Sequence, residues 1–174
     1  LQEAQAYAAS HGCGGFCAVS NRFSLAYVPS DGKADGAGLV TTDEAFYRYH
    51  CETGFLLVPY SALAFGFFEK LACAGVTAAD GRFESLERAG LPEHMLRELA
   101  TPVNARRYAL LRQIQAETGL SMTDLTVGYH TSQPFTDIPV VAVRTTEQLD
   151  ALLHAGSLIL SGETIGRINA LQPF

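Results

Sequence analysis

An α/β fold built on a parallel sheet is what this sequence predicts, and two observations carry it. Runs at residues 16–20, 55–60 and 138–143 are apolar throughout instead of alternating with period two. Such continuous apolarity suits parallel strands covered on both faces. Helical patterns lie between and around these runs, and an alternation of strand and helix calls for right-handed βα units.

The helices follow in order. Residues 2–10 place Ala4, Tyr7 and Ala8 on one face. Residues 43–53 follow a capping box formed by Thr41 and Glu44, carry Phe46, Tyr49 and Cys51, and end at Gly54. Residues 104–118 align Tyr108, Leu111, Ile114 and Gln115 and close at Gly119. Ser121 and Asp124 open the next helix, which runs to Gln133 before Pro134. Another begins at Glu147 behind a box of Thr145 and Gln148, carries Leu149, Leu152 and Leu153, and stops at Gly156. The last spans residues 162–171. Residues 28–40 and 72–101 are rich in Gly, Ala, Asp and Pro and read as long loops with short helical pieces. Both follow a strand, on the side where α/β folds build their sites.

Composition narrows the partners. The chain has 174 residues, 48% hydrophobic and 17% charged, enough for one domain with a substantial core. A net charge of -6 with no basic cluster argues against nucleic acid. Pro59, Ser61 and Gly66 interrupt the longest apolar stretches, so no membrane span is expected and the protein should be soluble. Cys13, Cys17, Cys51 and Cys73 are irregularly spaced, which suits free thiols in the cytoplasm. With His11 and His50 they lack metal-ligand spacing, so no metal is expected.

The opening Leu1-Gln2-Glu3-Ala4 has neither an initiator Met nor signal-peptide character, and suggests a chain cut from something longer. Three parallel strands would also leave long apolar edges. About five more βα units are therefore expected from missing sequence, a partner chain or self-association.

No GxSxG elbow, phosphate-binding Gly-rich loop or HExxH helix is present, and Gly12-Cys13-Gly14-Gly15 reads as a turn before a strand. The polar chemistry lies at the strand ends: Asn21-Arg22, Tyr60-Ser61, and Arg144-Thr145 just before a helix. Helix amino termini attract anions, and Arg adds a fork of donors suited to phosphate.

At these positions the sequence resembles the aldo-keto reductase family. The segments are Val19-Ser20-Asn21-Arg22-Phe23-Ser24-Leu25-Ala26, Val58-Pro59-Tyr60-Ser61-Ala62-Leu63-Ala64-Phe65-Gly66-Phe67-Phe68 and Arg144-Thr145-Thr146-Glu147-Gln148-Leu149. In order and spacing they are similar to the family's strands six, seven and eight with their loops. The resemblance implies a TIM-type (β/α)8 barrel, present as a partial barrel of about three βα units, with residues 1–174 as its carboxy-terminal portion. It implies NADP(H), or sometimes NAD(H), bound without a Rossmann domain, and a small-molecule aldehyde or ketone as substrate.

Carried over by position, Asn21 and Arg22 would lie near the nicotinamide, and Tyr60 would stack on it. Ser61, Leu63 and Gly66 would line the pyrophosphate, while Arg144, Thr145 and Gln148 would face the 2'-phosphate. The sequence departs from the family pattern at Arg22, usually Gln, at Phe65, often Arg, and at Ala151 and Leu152, where adenine contacts fall. The family's catalytic Asp, Tyr, Lys and His belong to earlier strands, so no catalytic residue is assigned here. Tyr129 and His130, in a helix, read as packing or surface residues. Phe67, Phe68 and the 28–40 loop suggest an apolar substrate lining. The alternative expectation is a non-catalytic half-barrel that binds a nucleotide or completes another chain.

Overall fold

The computed structural model describes residues 1–29 and 38–171. In chain order these form α1 (Gln2–His11), β1 (Ala18–Val19), α2 (Glu44–Thr53), β2 (Leu56–Leu57), a 3₁₀ turn (Ala64–Gly66) and α3 (Phe67–Cys73). A hairpin of β3 (Thr77–Ala79) and β4 (Arg82–Glu84), a second 3₁₀ turn (Leu86–Ala89) and α4 (Glu93–Leu99) follow. The chain continues with α5 (Pro102–Thr118), α6 (Met122–Thr131), α7 (Thr146–Gly156) and α8 (Gly162–Asn169).

β1 and β2 pair in parallel, Ala18 with Leu56 and Val19 with Leu57. The same register carries on to Arg22 opposite Tyr60. A third parallel segment joins the far side of β2: Leu57 N–H donates to Thr136 O (3.0 Å), Ile138 N–H to Leu57 O (2.9 Å) and Val140 N–H to Pro59 O (2.9 Å). The three predicted strand runs thus lie side by side in the predicted orientation.

Their burial corrects the expectation of two covered faces. Side chains alternate across a strand, so Val19, Leu57 and Asp137 share one face, and that face meets the helices. Ser20, Ile138 and Val140 point the other way and are exposed, Ile138 by 53% and Val140 by 55%. Phe16 is 62% exposed as well. The helices cover one face only, so the apolarity of these runs exceeds what the described residues bury. The paired stretches are also shorter than the predicted runs. The edge of β1 is closed at its end, where Arg22 N–H donates to Val40 O and Thr42 N–H to Arg22 O, each at 2.8 Å.

Beneath the covered face, Leu57 packs in one cluster with Phe67 and Leu71 of α3, Tyr108, Leu111 and Ile114 of α5, and Leu125 and Tyr129 of α6. α5 begins where Thr101 Oγ1 accepts from Asn104 N–H, with Pro102 supplying a helix-compatible φ at the first position. α6 opens on the predicted capping box, Ser121 and Asp124 exchanging bonds of 3.0 and 2.8 Å. Gly128 of α6 lets Leu160 approach closely, since a Cβ there would meet that side chain at 3.0 Å.

Several predicted details change. α2 is capped by Asp43, whose carboxylate accepts from Phe46 N–H, because Thr41 pairs with Arg22 instead of forming a box with Glu44. At α7, Thr145 caps Gln148 N–H as predicted, but the Gln148 side chain accepts from Arg144 N–H. α6 ends at Thr131, short of Gln133, where the Ser132 hydroxyl accepts from Leu160 N–H. α8 ends at Asn169, short of Leu171. Residues 72–101, read as loop with helical pieces, contain α4 and also the β3–β4 hairpin. Its two-residue turn is Asp80-Gly81, both with positive φ (50° and 73°). Most of the predicted 28–40 loop lies outside the described residues.

Two α5 side chains fasten the chain that leaves β1. Asn104 exchanges bonds with the backbone of Tyr27, Tyr27 N–H to Oδ1 and Nδ2 to Tyr27 O, each at 2.8 Å, and also donates to Leu99 O. Arg107, 2% exposed, donates to Leu25 O and lies over the Tyr27 ring. Burial lowers its pKa to about 10, which leaves the guanidinium charged at neutral pH.

Leu57 is fully buried at the centre of the sheet, and Ile138 is exposed beside it. In urea unfolding, Leu57→Ala should cost about 2–5 kcal/mol. Ile138→Ser should stay within about 0.5 kcal/mol of wild type.

Candidate functional site

The polar ends of the three parallel segments gather two groups of side chains. The first surrounds the end of β1. Arg22 is held on both sides by its backbone, against residues 40–42 and against Tyr60, whose N–H donates to Asn21 O (3.2 Å). The Tyr60 hydroxyl donates to Val40 O at 3.2 Å, so the same stretch is tied to β2 as well. The Arg22 guanidinium pairs through Nη1 with Glu98 of α4. This contact brings residues 93–99 over the strand ends.

Strand alternation separates two residues that the sequence places together. Arg22 shares the face of Ser20 and Tyr60, whereas Asn21 falls on the face of Val19 and Leu57 and is buried. Only Arg22 is set beside Tyr60. Polar atoms here lack partners: Nε and Nη2 of Arg22, Nδ2 of Asn21 and Oγ1 of Thr42 are buried without a hydrogen bond. Unsatisfied buried donors are costly and concentrate where a ligand completes them. Three of the four atoms are N–H donors, so they suit a group rich in acceptor oxygens, such as an amide carbonyl or a phosphate.

The second group is the loop after β2. Ser61, Ala64 and Phe65 have φ of 53°, 45° and 59°, and Gly66 follows at 71°. Only Gly takes this left-handed conformation freely, and each of the others stores about 1–2 kcal/mol. Ala64 N–H donates to Ser61 O and Gly66 N–H to Leu63 O, each at 2.8 Å. The carbonyl of Ala62 accepts from outside the loop, from Nε2 of His130 at 3.0 Å. Strain held by surrounding contacts is characteristic of ligand clamps.

At the start of α7, Arg144, Thr145 and Gln148 are all exposed. Arg144 N–H and the Gln148 side chain bond at 2.9 Å, and Thr145 caps the helix. The Glu147 carboxylate is held below the usual carboxylate range, first by its own backbone N–H and then by the hydroxyls of Thr145 and Thr146. A resident negative charge therefore already sits at this helix terminus.

The predicted site residues thus fall in four places: Asn21 buried on the helix-covered face, Arg22 and Tyr60 together on the other, Ser61, Leu63 and Gly66 in the strained loop, and Arg144, Thr145 and Gln148 at the exposed helix start. Phe67 and Phe68 are buried in the core against Phe83 and Tyr108, which corrects their reading as substrate lining. Tyr129 and His130 are both buried. Sequence reasoning missed Glu98 and Thr42, which meet Arg22 through backbone pairing and a long connection that no local pattern marks.

The family comparison agrees with this architecture. Residues 37–173 match the model of the aldo/keto reductase family, and the chain belongs to that family. Membership places it among oxidoreductase domains of the (β/α)8-barrel type. No curated protein matches the chain. Among the described residues no helix is long and apolar enough to cross a membrane.

A depressed carboxylate pKa stabilises the fold above the unfolded value, and that contribution is lost as pH falls through the folded value. The melting temperature of wild type should therefore exceed that of Glu147→Gln at neutral pH. The difference should begin to shrink at about pH 4.3 and vanish once pH has fallen through the lower folded value.

Proposed function

We propose that this chain holds NADP(H) at its strand ends, as the nucleotide-binding part of an oxidoreductase that reduces aldehydes or ketones. The observation that carries the reading is the pair of buried, unpartnered N–H donors of Arg22 beside Tyr60, next to the strained loop. When bound, the nicotinamide supplies a hydride, and the chain supplies position and electrostatics. Arg22 offers donors to the carboxamide end. Tyr60 offers a ring face for stacking, and Ser61, Leu63 and Gly66 offer the loop for the pyrophosphate. Arg144, with Thr145 and Gln148, offers a cationic helix start to the 2'-phosphate, which is the physical basis for preferring NADP(H).

In this reading residues 1–174 correspond to the closing strands six to eight of a (β/α)8 barrel in the cytoplasm. The catalytic acid and its relay would come from other strands, supplied by further sequence, a partner chain or self-association. The exposed face carrying Ile138 and Val140 supports that view, because in a closed barrel it would line the filled interior. The same face also favours a second reading, in which the domain is a non-catalytic half-barrel that completes another chain.

Fluorescence titration tests the first reading. NADPH should bind the purified chain about tenfold more tightly than NADH, a difference worth one charge-assisted contact. Arg144→Ala should remove the preference, and Glu147→Gln should tighten NADPH about two- to fivefold by deleting a like charge. Absence of NADPH binding near millimolar concentration would contradict the reading.

A further inference from the structure

We infer that His130 is a positioning residue whose imidazole fixes the strained loop after β2 in its ligand-holding conformation. That the ligand is NADP(H) rests on the function proposed above, while the ordering of the loop does not.

His130 is 1% exposed and reaches all three parallel segments, past the ends of the first two and at the start of the third. Nδ1 bonds to Oδ2 of Asp137, at the start of the third segment, at 2.8 Å. Nε2 bonds to the carbonyl of Ala62 at 3.0 Å. The ring meets Phe23, the residue after Arg22, edge-on with centroids 5.5 Å apart. The Ala62 carbonyl can only accept, so Nε2 is the N–H donor at that end.

The loop needs such an anchor. Its own hydrogen bonds use the carbonyls of Ser61 and Leu63, while three non-glycine residues sit at positive φ. Nothing internal to that pattern holds the intervening Ala62 peptide. Ala62 is itself buried, so removing the histidine would leave a carbonyl in the interior without its donor. The cheapest relief is for the peptide to turn and for Ser61, Ala64 and Phe65 to relax toward negative φ. The loop would then lose the shape it offers to a ligand. Asp137 is one step further out: its Oδ2 orients the ring, and its Oδ1 has no partner.

Hydrogen exchange read by mass spectrometry, together with NADPH titration, tests this on the full chain. His130→Phe keeps the packing on Phe23 and removes both polar bonds. His130→Phe with Asp137→Leu also removes the buried carboxylate and guards against a variant that fails to fold. In either variant, exchange across residues 61–66 should rise about tenfold or more while α5 stays protected, and NADPH affinity should fall about tenfold. Asp137→Asn still offers an acceptor to Nδ1 and should keep loop exchange within about twofold of wild type. His130→Gln, which retains a donor for Ala62 O, should recover part of the protection. Wild-type exchange at 61–66 in the double variant, or a rise no greater than that of α5, would overturn the inference. Failure of wild type to bind NADPH would overturn the cofactor reading alone and leave the exchange result to decide the role of His130.

Discussion

The imidazole of His130 lies against all three parallel segments, just past the ends of two and at the start of the third, and the geometry of the strand ends depends on it. Helix α6 carries it into the interior on the same turn as Tyr129, and the Ser121–Asp124 capping box fixes where that helix begins. From there one side chain reaches the loop after β2, the start of the third segment and the ring after β1. A buried polar group so placed specifies geometry more than it adds stability, since its bonds largely replace those it would make with water.

Around this node the fold holds its connections by backbone-directed side chains. Asn104 and Arg107 of α5 fix residues 25–27, Thr131 donates to Leu158 O, and the Tyr108 hydroxyl donates to Val76 O. The packed elements are therefore tied together up to the strand ends. Buried polar atoms without a partner gather at those ends, at Asn21, Arg22 and Thr42, and others lie at His50, Arg107 and Asp137.

Much of the architecture was legible because it rests on local chemistry. The parallel strands announced themselves by apolar runs, and Gly119 and the Ser121 box marked helix boundaries correctly. The hairpin around Asp80-Gly81 was missed, because its strands are short and lie in a stretch of small residues that read as loop. The site was legible only as positions along strands. The opposite facing of Asn21 and Arg22 follows from register, and the Arg22–Glu98 contact joins distant segments. Thr41 looked like a helix cap because Asp43, two residues on, competes for the same role and wins it once Thr41 pairs with Arg22. His130 carried no motif, since its partners lie in three different segments.

The strained loop, the donor cluster and the cationic helix start form one coherent account only if a single extended molecule spans them. Chemical-shift mapping of the chain with NADPH tests this most directly. Concerted perturbations at Asn21, Arg22 and Tyr60, at residues 61–66 and at Arg144, Thr145 and Gln148 are the predicted result. Perturbations restricted to one of these groups, or centred on the exposed face of Ile138 and Val140, would contradict it.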